Sequence, residues 1–130
     1  AEKWAAKVAA DPRRLALGRQ ADDAVSGEDA DMAFTCIAEG WGSGRFTALS
    51  LTHVIPASRL DFGYQRRLAR GIGWSYGRLL AIHGWSTFDR KLLAWGKVAQ
   101  GSLAIKHRGR SRTLDIEYHR AFLRGLKSTG

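Results

Sequence analysis

Three carboxylates occur close together in the segment Ser26–Met32, whose sequence is Ser-Gly-Glu-Asp-Ala-Asp-Met. Ser26 and Asp29 have the spacing of a capping box, which predicts a helix that begins here with Glu28, Asp29 and Asp31 near its first turn. The dipole and free N–H groups of a helix N-terminus keep a carboxylate ionised at neutral pH. A carboxylate in this position can act as a general base, which contributes about 10²–10⁴-fold to a rate. Acidic first turns are also common as plain helix caps, so the pattern alone leaves both interpretations open.

A single histidine lies in a second segment, Leu51–Leu60, with the sequence Leu-Thr-His-Val-Ile-Pro-Ala-Ser-Arg-Leu. From residue 46 onward apolar and polar residues alternate, which predicts a short β-strand that Pro56 ends. His53 lies near the end of this strand, on its apolar face. An imidazole there is either a buried core residue or a metal ligand, and it suits Mn²⁺ as a ligand of intermediate softness.

Together the two segments resemble the C-terminal half of a family 2 glycosyltransferase of the GT-A type. The resemblance covers approximately residues 11–77 and is looser in the helices that follow. It rests on the acidic helix start, on the ten residues Leu51–Leu60, and on Ala38–Trp41, whose sequence Ala-Glu-Gly-Trp resembles the end of the corresponding helix in the family. The resemblance implies inverting transfer of a sugar from a nucleotide-sugar donor to a glycan or lipid-linked acceptor.

Several roles follow from this resemblance. Asp29 would be the base that takes the proton from the acceptor hydroxyl, with Glu28 beside it. His53 would be a ligand of Mn²⁺ or Mg²⁺, and the metal would stabilise the departing diphosphate. Asp31 and Trp41 would lie on the substrate side.

Arg59 would either contact phosphate or simply open the next helix. The upstream half of the family holds the nucleotide and ends in an Asp-x-Asp metal-binding segment. The one Asp-x-Asp in this sequence, Asp29–Asp31, belongs to the predicted helix itself. We therefore expect the 130 residues alone to be inactive and to need an N-terminal nucleotide-binding half of the same protein, which would provide the remaining metal ligands.

The composition is that of a globular protein, with 45% hydrophobic residues and a net charge of +9. Such a charge favours anionic partners. The single cysteine, Cys36, excludes an internal disulfide and fits a reducing compartment. The sequence has no run of about 18 apolar residues, the length that a membrane-spanning helix needs. These features predict a cytoplasmic location, with a peripheral position at the inner face of the membrane as a further option.

Helical periodicity predicts most of the remaining structure. A first helix covers residues 2–10, the helix that begins at the acidic segment ends at Gly40, and a long helix covers residues 61–83 and ends at Gly84. Ala69, Gly73 and Gly77 form a line along the long helix at which another backbone could pack closely. A second capping box at residues 86–89 precedes a helix with Leu92 and Trp95 on one apolar face, and a last helix follows a basic loop.

The predicted fold class is mostly α with a short β segment. It would be the C-terminal fragment of an α/β GT-A glycosyltransferase domain plus trailing helices. Residues 1–58 would form the end of the catalytic domain, with the base helix and the strand-end histidine. Residues 59–130 would form a helical C-terminal extension.

Basic and aromatic residues alternate in the second half of the chain, and they suggest an alternative function. The residues concerned are Arg66, Arg67, Arg70, Arg78, Trp74, Trp85 and Trp95. They are typical of a non-catalytic helical module that binds an anionic surface, either a membrane or nucleic acid. Nucleic acid is the less favoured partner, because the sequence has no helix-turn-helix, zinc-finger or single-strand-binding signature. A solvated basic face with core tryptophans would produce the same pattern.

Overall fold

The computed structural model describes residues 2–18, 24–42, 44, 47–85, 88–103 and 109–127. Within these ranges the chain forms six α-helices and one short 3-10 helix at Ala57–Leu60. The helices are α1 (Glu2–Ala10), α2 (Pro12–Leu15), α3 (Glu28–Ala38), α4 (Phe62–Ile82), α5 (Phe88–Leu103) and α6 (Arg110–Lys127). None of the helices in the described part of the chain is both long enough and apolar enough to cross a membrane.

The predicted β segment is wrong. Residues 47–56 have no regular secondary structure, and no strand occurs in any described range, so the chain is not a fragment of an α/β GT-A fold with a β segment. The predicted start of the strand, Phe46, lies outside the described residues. A helix makes its backbone hydrogen bonds within itself, whereas a strand needs a neighbouring strand. The described residues contain no such neighbour, and Leu51 remains 91% exposed.

Capping boxes are predicted at residues 26–29 and 86–89, and the start of the second lies outside the described residues. Asp61 caps α4, because its Oδ1 accepts a hydrogen bond from the backbone N–H of Tyr64 at 2.9 Å. The predicted capping box at Ser26 is wrong by one position, since the N-cap of α3 is Gly27 and no side chain caps it. The backbone N–H of Ser26 instead donates to Ser75 Oγ on α4 at 3.4 Å. This contact ties the start of α3 to the long helix.

Glycines end α3 and α4 as the sequence predicts. Gly40 has a φ of 82°, and the next residue, Trp41, donates its N–H to the carbonyl of Cys36 at 2.9 Å. This is the Schellman arrangement, which satisfies carbonyls that the helix end would leave free. Gly84 follows α4 with a φ of 70°; its N–H donates to the carbonyl of Ala81 at 3.3 Å, and that of Trp85 donates to the carbonyl of Leu80 at 2.8 Å. Both positions need a left-handed backbone, which glycine adopts at no steric cost.

Helices α4 and α6 pack with their backbones in contact. A Cβ atom at Gly73 would lie 2.2 Å from the carbonyl oxygen of Tyr118, and one at Gly77 would lie 2.2 Å from that of Phe122. Gly125 of α6 makes the reciprocal contact with α4. The predicted close approach at Gly73 and Gly77 is therefore confirmed. The residue numbers of the contacting pairs increase in the same direction along both helices, so α4 and α6 run parallel. Helix α5, which lies between them in the sequence, runs back in the opposite direction.

The apolar core lies where α5 and α6 meet the end of α4. Its buried members are Leu80, Ala94, Phe122, Leu123 and Leu126, with Phe34, Ala81 and Val98 packed against them. Phe34 brings α3 into this core, where its ring lies 4.8 Å from that of Trp85 and 5.6 Å from that of His83, centroid to centroid. The core thus joins the acidic helix to the trailing helices in one unit.

Candidate functional site

The first turn of α3 is anchored by a buried carboxylate, Asp31, which is only 1% exposed. Trp4 Nε1 of α1 donates to its Oδ2 at 2.8 Å. Arg14 of α2 and His83 at the end of α4 both contact its Oδ1, at 2.5 Å and 2.8 Å. A carboxylate accepts hydrogen bonds, so the His83 contact requires a proton on Nε2. Four separate parts of the chain therefore meet at one side chain.

This cluster fixes the position of α3. Taking charged groups out of water costs free energy, which close pairing offsets, and the removal of one partner from a buried pair typically costs about 3–5 kcal/mol. The side chain of Arg14 is 9% exposed, and its Nη1 also lies 3.4 Å from Thr35 Oγ1, one turn along α3. Asp31 was predicted to bind substrate. That role stays a prediction, and a substrate group would have to compete with these partners.

The predicted base, Asp29, faces the opposite way from Asp31. Two positions along a helix correspond to a rotation of about 200°, so one carboxylate points inward and the other outward. Asp29 is exposed, and its Oδ1 accepts a hydrogen bond from the N–H of Ala30 at 2.8 Å. Glu28 is also exposed, on the same first turn. The structure therefore presents Glu28 and Asp29 to solvent on a helix start that Asp31 holds in place.

The remaining predicted site residues lie in the segment that follows α3. His53 is exposed, which excludes a buried core role for it within this chain. No hydrogen bond or ion pair between described residues joins His53 to α3. Arg59 lies in the 3-10 helix, where its guanidinium carbon is 5.9 Å from the ring centroid of Tyr64. Trp41 is exposed and lines a cleft of about 430 Å³ beside α1 and α3.

The described residues do not by themselves provide a complete donor set for a metal. Within the described ranges, no three His, Cys, Asp or Glu side chains converge in a way that could hold a metal ion. His53 offers one exposed imidazole, which fits a role as a single ligand. The remaining ligands of a Mn²⁺ or Mg²⁺ site would have to come from outside the described residues.

Sequence reasoning missed Trp4, Arg14 and His83 as the partners of Asp31. His83 is 52 positions from Asp31, and Arg14 is 17 positions away. No local spacing links residues so far apart. A weak signal was available, because the third carboxylate of the acidic segment falls on the apolar side of a helix, where a charge needs a partner.

Electrostatic contacts also hold the C-terminal end of α3. Hydrogen bonds from Lys3 and Lys7 of α1, at 2.9 Å and 3.0 Å, lower the pKa of Glu39. These groups are solvated, so the pairs contribute little to stability. They nevertheless give α1 a second place of contact with α3, at the end opposite the Trp4–Asp31 hydrogen bond.

Comparison with protein-family models, with curated proteins and with solved structures finds no match to this chain. Its function is therefore inferred from the positions and chemistry of its own residues.

Proposed function

We propose that this chain supplies the base-bearing, acceptor-side half of an inverting glycosyltransferase that uses a nucleotide-sugar donor. The observation that carries the proposal is the contrast between Asp29 and Asp31. Asp29 is exposed at the start of α3, while Asp31 is buried and holds the same turn through three partners. A base needs both features, because it must reach the acceptor and must stay in position during proton transfer.

Asp29 takes the proton from the acceptor hydroxyl as that oxygen attacks the anomeric carbon of the donor sugar. The new C–O bond forms on the face opposite the nucleotide, the bond to the diphosphate breaks, and the nucleoside diphosphate leaves with the electron pair. The carboxylate oxygens of Asp29 accept this proton. Glu28 is the neighbouring residue in the first turn and adds a second negative charge there.

The proposal requires a second unit that binds the nucleotide. Support comes from the segment before the 3-10 helix, where Leu49, Leu51 and Val54 are exposed by 79%, 91% and 81%. Neighbouring apolar side chains that are exposed together mark a surface that another protein unit can cover. The proposed cover is the N-terminal nucleotide-binding half of the same protein. That half would also supply the metal ligands that complete a Mn²⁺ or Mg²⁺ site with His53.

The test is sugar transfer by the parent protein with Mn²⁺, comparing wild type with Asp29→Asn. We expect the rate to fall by at least about 10²-fold while donor binding stays nearly unchanged. Asp89→Asn is the matched control, because Asp89 is also an exposed aspartate in the first turn of a helix, α5. Equal losses in both variants, or an unchanged rate in Asp29→Asn, would show that Asp29 is only part of a helix start.

The role of His53 is tested by its metal dependence. His53→Ala should raise the Mn²⁺ concentration needed for half-maximal transfer. Because His53 is exposed, the same variant should keep the unfolding free energy of the wild type to within about 0.5 kcal/mol. A loss of stability with an unchanged metal requirement would remove His53 from the proposed site.

A further inference from the structure

An apolar stripe is exposed along α5. Phe88, Leu92 and Trp95 are 76%, 59% and 55% exposed. Their spacing of four and three residues places them on one side of the helix. The side of α5 that packs against the core is a different one, with Ala94 buried and Val98 half-buried. The stripe therefore lies outside the core that the described residues form.

A group of cations lies next to Trp95, at one end of the stripe. Trp95 lines a cleft of about 640 Å³ between α4, α5 and α6. Two arginines of that cleft, Arg70 and Arg124, also line a neighbouring cleft of about 630 Å³ together with Trp74. The exposed cations of the two clefts, which we call the cationic row, are Arg67, Arg70, Arg120, Arg124 and Lys127.

Little negative charge opposes the cationic row. Among the described residues that line the two clefts, Glu117 is the only acidic one. Its Oε1 already accepts a hydrogen bond from Arg66 at 2.5 Å, and its Oε2 lies 3.5 Å from Arg70. The surface around Trp95 is therefore strongly positive, and an anionic partner is the one that complements it.

We propose that the stripe and the cationic row together form a docking surface for an anionic phospholipid bilayer. Phe88, Leu92 and Trp95 enter the boundary between headgroups and acyl chains, and the guanidinium groups contact lipid phosphates. Tryptophan suits this boundary because its ring is apolar and its N–H is polar. Each basic residue close to an anionic membrane raises partitioning about fivefold. This inference is independent of sugar transfer.

Two other occupants fit the surface less well. A second copy of the chain would bring two cationic rows together, and like charges across an interface oppose association. A nucleic acid would satisfy the arginines and stack bases on Phe88 and Trp95, but it would leave Leu92, which lies between them, without an apolar partner. A bilayer uses both parts of the surface at once.

The test is sedimentation with vesicles of phosphatidylcholine containing phosphatidylglycerol, compared with vesicles of phosphatidylcholine alone. Arg124→Glu should lower binding about tenfold or more. Lys97→Glu is its matched control, since Lys97 is an exposed cation of α5 outside both clefts. Leu92→Ser should also lower binding about tenfold. Its control is Leu93→Ser, because Leu93 is 69% exposed but faces a different cleft, beside Tyr76 and Tyr118.

Binding that requires the anionic lipid, and that falls in Arg124→Glu and Leu92→Ser but not in their controls, would support the proposal. Equal binding to neutral vesicles, or equal losses in each variant and its control, would overturn it. So would a wild-type dimer that Leu92→Ser dissociates, or tight binding to a single-stranded oligonucleotide without vesicle binding. All four substitutions are at exposed positions, and unchanged helical circular dichroism would show that each variant is folded.

Discussion

His83 Nε2 lies 2.8 Å from Asp31 Oδ1, so the C-terminal end of α4 closes onto the first turn of α3. The two residues are 52 positions apart, and both side chains are almost completely buried. Asp31 thereby connects the acidic turn to the helical core. The contact therefore links the end of α4 to the helix start that carries Glu28 and Asp29.

The two aspartates of α3 should respond in opposite ways to substitution. Asp31→Ala leaves Arg14 buried without its carboxylate, and we expect a loss of about 3–5 kcal/mol in the free energy of unfolding. Asp29→Ala removes an exposed side chain and should cost less than about 1 kcal/mol. Urea titrations followed by circular dichroism measure both values. Similar losses in the two variants would contradict the contrast on which the proposed base depends.

Glycine-to-alanine substitutions test the backbone contact between α4 and α6. Gly73→Ala and Gly77→Ala would each place a Cβ atom 2.2 Å from a carbonyl oxygen of α6, so the helices would have to move apart. We expect a loss of about 3 kcal/mol in each case. Gly96→Ala on α5 is the control, because nothing lies within 4 Å of its Cβ position. It should stabilise the chain by about 0.5–1 kcal/mol, measured by thermal unfolding.

The side-chain cap of α4 should contribute a measurable amount to stability. Asp61→Ala removes the acceptor for the N–H of Tyr64 and should cost about 1 kcal/mol. Asp61→Asn keeps an acceptor oxygen in the same place and should recover most of that loss. Chemical denaturation of the three proteins gives the comparison. If asparagine were as destabilising as alanine, the charge of Asp61 rather than its hydrogen bond would be responsible.

The ion pairs of Glu117 should make stability depend on pH. Partial burial acts to raise the pKa of Glu117, but the hydrogen bond from Arg66 and the charges of Arg70, Arg66 and Arg120 outweigh it, and the pKa lies below its usual value. A carboxyl group with a lowered folded-state pKa stabilises the fold above its unfolded-state pKa, about 4.3. That stabilisation disappears as the pH falls through the folded-state pKa.

We therefore expect Glu117→Gln to lower the free energy of unfolding at neutral pH. The loss should be less than about 1 kcal/mol, because the arginines are partly solvated. The difference should shrink below about pH 4. Denaturant titrations at several pH values measure it. A difference that stays constant down to acid pH would show that Glu117 acts through its shape and packing rather than its charge.

The parts of the structure that the sequence predicts are those that short-range chemistry determines. The bounds of α1 and α4, the glycine ends of α3 and α4, and the close approach at Gly73 and Gly77 all follow from residues within a few positions of one another. The strand predicted from residue 46 to Pro56 is wrong because an alternating pattern describes a half-buried surface and does not provide the hydrogen-bonding neighbour that a strand needs. The partners of Asp31 could not be predicted, since tertiary packing alone brings Arg14 and His83 to it.

The parallel arrangement of α4 and α6 has a consequence for how the chain folds. Parallel neighbours cannot be joined by a short turn, so the connecting chain, which contains α5, must run back along α4 before α6 can pack against it. The pairing of Arg66 with Glu117 closes a loop of 51 positions, and loop closure of that length costs conformational entropy before any contact is gained. A three-helix chain with only sequential antiparallel contacts avoids this delay. Although every described element is helical, this protein should therefore fold more slowly than an up-and-down bundle of its size.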